Sequence, residues 1–204
     1  MQVVILSERA LADTDDLFAA AVAHVVRKLG RVKPLDPDTL PSARALTITA
    51  LDLWASSDVG SWRGELARYY EDHIPLRLRP DPALNAALRR LGSAGVTLAC
   101  WSPGPDEATR IVVHHLGLGR RIERIAEGTS PAVAIGLADE LAITRDQALV
   151  VAEDAGALAA VAESGVGAAA AGWAGGEHGI PSVTTLATPN DLVELVLGER
   201  ATAR

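Results

Sequence analysis

Ala148-Leu149-Val150-Val151-Ala152-Glu153-Asp154-Ala155-Gly156-Ala157-Leu158-Ala159-Ala160-Val161-Ala162-Glu163-Ser164-Gly165-Val166 is the stretch from which the fold can be read. Residues 148–152 are a continuous apolar run, the pattern of a strand buried on both faces of a parallel sheet. An acidic pair ends the run, a small-residue helix over 155–163 follows, and a second apolar run over 166–171 returns to strand. Outward from this unit the alternation continues. Helices are predicted over 82–91, 106–116, 131–141 and 191–197, and strands over 96–100, 122–125 and, weakly, 183–186. The first apolar run, Val3 to Leu6, predicts one further strand at the N-terminus. Such alternation predicts an α/β fold, a doubly wound parallel sheet of Rossmann-like type covered on both faces.

Residues 15–80 break the alternation. Leu17, Ala20, Ala21, Val25 and Leu29 recur at helical spacing up to Gly30, and Pro34, Pro37 and Pro41 mark a link. Helical stretches follow over Ala43 to Trp54 and Trp62 to Tyr70, with no good strand. This block reads as an all-helical insert, with Trp54, Trp62, Tyr69 and Tyr70 as its core, in a domain made of residues 1–14 and 81–204.

The chain has 204 residues, 49% of them hydrophobic, enough to bury a full core. Its net charge of −7 argues against a nucleic-acid partner, which needs a clustered positive surface. Cys100 is the single cysteine and cannot form an internal disulfide, so a reducing cytoplasm is the expected setting. No signal sequence is recognised, because Glu8 and Arg9 interrupt the first apolar run. The Ala-rich stretch from Val166 to Ala174 is too short to span a bilayer, and no membrane association is expected.

In open parallel sheets, ligands lie beyond the carboxyl ends of the strands, so the residues just after each strand are the candidates. After the first come Ser7, Glu8 and Arg9; after the strand 96–100, Ser102; after 148–152, Glu153 and Asp154. Ser102-Pro103-Gly104 also suits a plain turn opening the next helix. Asp154 equally suits an N-cap, since a carboxylate favourably meets the positive end of a helix. His114 and His115 are adjacent on a helix and do not share a face, and His24, His73 and His178 have no ligand spacing. Trp173, in a Gly-rich loop after a strand end, is placed to contact a ligand or partner. The glycines follow no nucleotide-binding spacing.

These strand-end segments resemble the haloacid dehalogenase superfamily, in the subgroup that includes phosphoglycolate phosphatase and β-phosphoglucomutase. The family's first motif is an apolar strand followed by Asp-x-Asp-Gly-Thr-Leu-Val-Asp-Thr, with the first Asp as nucleophile and the second as acid/base. Here Val3-Val4-Ile5-Leu6-Ser7-Glu8-Arg9-Ala10 leads into Leu11-Ala12-Asp13-Thr14. Aligned on Asp13-Thr14, the nucleophile position holds Leu6 and the acid position Glu8. Aligned on the strand, with one residue deleted, these become Ser7 and Arg9. Neither register supplies a nucleophilic carboxylate. The resemblance further implies that Ser102 hydrogen-bonds a phosphoryl group, that Glu153 and Asp154 complete a Mg2+ site, and that the family lysine position falls on Gly128. It also implies that the helical insert is a C1 cap.

With nucleophile and lysine both absent, the expected protein lacks ordinary phosphatase or dehalogenase activity and needs no cofactor. It would act as a binding or interaction module, using Ser102, Glu153, Asp154 and Arg9 for a small anionic ligand, or engaging a protein partner. In that reading the Arg9 guanidinium stands in for the metal beside Asp154, its planar fork suiting a carboxylate; the alternative is an Arg9 pointing to solvent. A second reading is a working hydrolase whose Mg2+ is gathered by Glu8, Asp13, Glu153 and Asp154, with Asp13 or Asp15 swinging in. A third is a structural partner subunit.

Overall fold

Strand β1 (Val3–Ser7) is buried along its whole length, as its unbroken apolar run predicts. A computed structural model describes residues 1–31, 34–36, 39–41, 44–55, 61–176 and 179–198. After β1 the chain forms helices α1 (Glu8–Leu11), α2 (Asp15–Leu29), α3 (Arg44–Ala55), α4 (Trp62–Arg77) and α5 (Pro82–Ser93). It then alternates through β2 (Thr97–Ser102), α6 (Asp106–His115), β3 (Ile122–Glu127), α7 (Pro131–Leu141), β4 (Ala148–Ala152), α8 (Ala155–Glu163), β5 (Gly167–Ala171), β6 (Thr184–Leu186) and α9 (Pro189–Leu197).

The strands form one sheet in the order β3-β2-β1-β4-β5-β6, and every neighbouring pair is parallel. This is the Rossmann-like order. The chain walks outward from β1 to β3, then returns to place β4 on the other flank of β1, so the strand order reverses between β1 and β4.

Because successive side chains of a strand point to opposite faces, each strand feeds two cores. Val4, Leu6, Leu98, Cys100, Leu149 and Val151 face one layer, with Leu88, Val112 and Leu192 from α5, α6 and α9. Val3, Ile5, Ala99, Trp101 and Val150 face the other, with Ala134, Leu137, Leu158 and Val161 from α7 and α8. Burial of a large aliphatic side chain stabilises by roughly 1.5–3 kcal/mol. Of the expected aromatic core, Trp54, Trp62 and Tyr70 are buried and Tyr69 is half-buried; Leu51 and Leu66 are buried with them, in the same cluster as Val4 and Leu6. Among the described residues, the helical block and the sheet thus share one buried cluster. Cys100 is fully buried, and its thiol pKa is pushed up by that burial.

Several predicted boundaries move. Strand β3 continues two residues past Ile125 to Glu127, and Val183 lies just before β6. Helix α4 continues past Tyr70 through Pro75 to Arg77, because Ile74 adds a fourth contact to the buried row Trp62, Leu66, Tyr70 at helical spacing. Helix α9 begins at Pro189, capped by Thr188, rather than at Asp191. The one-turn helix α1 has no counterpart in the sequence reading. Ala43, Pro37 and His178 lie outside the described residues. Among the described residues no helix is long and apolar enough to cross a membrane.

Candidate functional site

At the reversal point, the carboxyl ends of β1, β2 and β4 enclose a cavity of about 280 Å³. Its lining includes Ser7, Arg9, Trp101, Thr129, Glu153 and Asp154. Of the two residues aligned with the family's nucleophile, Leu6 is fully buried in the core, and Ser7 stands at the strand tip on the cavity. Ser7 is also the N-cap of α1: its Oγ accepts the Ala10 N–H at 3.1 Å and donates to Glu153 Oε2 at 2.7 Å.

Glu8 and Arg9 diverge because they are neighbours on a helical turn. Arg9 points outward, about half exposed, and pairs with Asp15 at 3.0 Å. Of the two readings for Arg9, this is the outward one: its ion pair is with Asp15, at the start of α2, and not with Asp154. Glu8 points inward and is completely buried. Thr14 Oγ1 donates to its Oε1 at 2.7 Å, and Arg44 Nη2 donates to Oε1 and Oε2 at 3.0 and 3.2 Å. Ser102 donates to Oε2, and Thr109 Oγ1 lies 3.1 Å from it. Arg44 Nη1 also donates to Thr14 Oγ1 at 2.8 Å, closing the ring.

Ser102 is fully buried and does not line the cavity. Its hydroxyl is directed at Glu8 and accepts the Gly104 N–H at 2.9 Å, so the phosphoryl contact implied by resemblance is replaced by an internal carboxylate. Asp154 lines the cavity, and its Oδ1 accepts the Ala157 N–H at 2.6 Å as the N-cap of α8. At Gly128, a Cβ would stand 2.4 Å from Val133 Cγ2, so a lysine there requires Val133 to move. Asp13 is exposed, holds the Asp15 N–H at 3.1 Å, and lies off this cavity. Trp173 is half-buried, not a free loop residue: its Nε1–H donates to Ala10 O at 2.9 Å and its ring packs on the core.

The sequence reading missed Arg44, Thr14 and Thr109. Thr109 was recoverable, since it falls on the face of α6 shared by Ala108, Val112 and Val113. Arg44 carried no local signal: it is one arginine in a helical stretch, brought to Glu8 across 36 positions by the packing of α3.

Mg2+ needs several oxygen ligands in a tight octahedron, normally carboxylates and waters. The carboxylates here are otherwise engaged: Glu8 with a guanidinium, Glu153 with Ser7, and Asp154 with the amide end of α8. Among the described residues no three His, Cys, Asp or Glu side chains gather as a metal cluster. This donor set does not fit the ion.

Parallel order, helical layers and a cavity at the point of strand reversal give a haloacid dehalogenase-like fold, shared with solved structures described as a phosphoglycolate phosphatase and a β-phosphoglucomutase. CbbY from Rhodobacter sphaeroides, solved in complex with phosphate, is similar over 94% of this chain and 96% of its own, with TM-score 0.71 and 15% identity. A Thermotoga maritima protein described as a β-phosphoglucomutase matches over 98% of this chain and 100% of its own, with TM-score 0.62 and 15% identity. The L-2-haloacid dehalogenase RSc1362 matches over 97% and 99%, with TM-score 0.58 and 14% identity. At such identities the likeness is one of fold. No protein-family model matches the sequence, and no curated protein matches it.

Proposed function

We propose that this chain is a haloacid dehalogenase-fold protein without aspartate-dependent phosphatase or dehalogenase chemistry, acting as a binding or interaction module in the cytoplasm. The observation that carries this reading is the state of Glu8: the carboxylate that follows the strand tip in sequence is buried and paired with Arg44, and the tip itself presents the hydroxyl of Ser7. Phosphate-monoester hydrolysis is among the slowest uncatalysed reactions, and covalent capture by a carboxylate beside a metal supplies much of its acceleration. The groups that would do so are absent or otherwise bound, and no metal is part of this reading. Fold alone does not restore the activity, since one fold hosts many chemistries. The cavity at the strand tips is the place for a small polar ligand. An anion there would have to compete with Asp15 for Arg9 and with Glu8 for Arg44.

One observation favours a working hydrolase as a second reading. Ser7 donates to Glu153 at 2.7 Å, the contact of a nucleophile with a base. Against it, the same Oγ accepts the Ala10 amide as the N-cap of α1, which fixes the hydroxyl in a structural role. Hydrolysis of p-nitrophenyl phosphate by the purified protein, with and without Mg2+, separates the readings. The expected result is no turnover above buffer in either condition. Turnover that needs Mg2+ and is lost in Asp154→Asn would overturn the binding-module reading, and turnover lost in Ser7→Ala would establish the second.

A further inference from the structure

We propose that the polar core beneath the helical insert is an oxyanion-binding site whose anion is supplied by the chain itself, the carboxylate of Glu8. Donors from four separate elements or loops converge on it: Arg44 from α3, Thr14 before α2, Ser102 at the end of β2 and Thr109 from α6. One carboxylate thus meets a forked guanidinium and three hydroxyls at the wall of the strand-tip cavity, which Glu8 and Arg44 both line, the donor set by which proteins hold small carboxylates and phosphates.

Two independent features show that the site is built around an anion. Gly104 leaves room for the guanidinium, because a Cβ there would stand 2.7 Å from Arg44 Nη2 and 3.5 Å from Glu8 Oε2. Donor capacity also remains: among the described residues, Arg44 Nε and the Tyr70 hydroxyl are buried without hydrogen-bond partners, and both residues act electrostatically on this centre. Arg44 comes from α3 and Glu8 from the first position of α1, directly after β1, so occupancy by Glu8 ties α3 to the end of the sheet. The site would accept a free carboxylate or phosphate of acetate size once the internal one is removed.

This inference does not depend on whether the protein turns anything over. Glu8→Ala deletes the atoms of an acetate ion and leaves the donors. Its Tm is expected to fall by roughly 10 °C, the effect of an uncompensated buried charge in a chain of this size. Sodium acetate or formate should then raise the variant's Tm in a saturable manner, with no such gain for wild type and none from sodium chloride at equal ionic strength. Phosphate tests whether the larger oxyanion also enters. Equal responses of variant and wild type, or of chloride and carboxylate, would overturn the proposal. If Glu8→Ala does not fold, Glu8→Gln and the double variant Glu8→Gln/Arg44→Met replace it. The double variant is expected to melt above the single one, because the unpaired guanidinium is gone. A Glu8→Gln protein that melts like wild type would sink the idea.

Discussion

Burial alone would push the Glu8 carboxyl above the ordinary glutamate value of 4.5, but the Arg44 charge and the hydrogen bonds from Ser102, Thr14 and Arg44 together outweigh it and hold the carboxyl below. The sign of the pH dependence follows. A carboxyl depressed on folding contributes stability that is fully present above its unfolded value, and this contribution is lost as the pH falls through the folded one. The Tm difference between wild type and Glu8→Gln should therefore be constant above about pH 5 and shrink steadily as the pH is lowered below about 4.5. Melting curves across pH 3–7 check this, and a difference that grows on acidification would contradict the ionised state of Glu8. Ser7 and Glu8 were both visible in the sequence as strand-end candidates. What the sequence did not reveal is that, at the wall of one cavity, Ser7 would turn to Glu153 and Glu8 to Arg44, because that depends on how α1 leaves the strand.

Helix starts carry clear local signals in this chain, although the apolar spacing placed α9 at Asp191, two residues past its Thr188-capped start. Asp81-Pro82, Ser130-Pro131 and Thr188-Pro189 each place a capping oxygen before a proline whose missing N–H is no loss at the first helical position. Asp154 belongs with them, and its two sequence readings can be separated by stability. As the N-cap of α8, Asp154→Ala should cost about 1 kcal/mol and Asp154→Asn only a few tenths, measured by urea denaturation without added metal. A Mg2+-dependent gain in wild-type stability that vanishes in Asp154→Asn would instead favour the metal-ligand role. The helix α1 escaped notice for a related reason. At four residues it is too short for periodicity to register, and only its Ser7 cap marks it.

The helices between β1 and α5 share a core with the sheet, since Leu51, Leu66 and Tyr70 belong to the cluster that holds Val4 and Leu6. Thermal unfolding should therefore be one transition. Trp54 and Trp62 report on the helical block, and Trp101 and Trp173 on the sheet end, so variants retaining one pair or the other should melt at the same temperature by fluorescence. A lower midpoint for the Trp54 and Trp62 pair would show the block unfolding on its own. By itself the sequence determined the alternation of strand and helix, the parallel doubly wound sheet and the strand ends where a site can lie. All of these rest on short-range periodicity and chain connectivity. Only the tertiary structure decided that Arg44 rather than Arg9 meets the inner carboxylate, that Ser102 turns to Glu8, and that Trp173 is packed. These depend on which side chains are brought together from distant parts of the chain, and no local pattern encodes the orientation of a helix above a sheet.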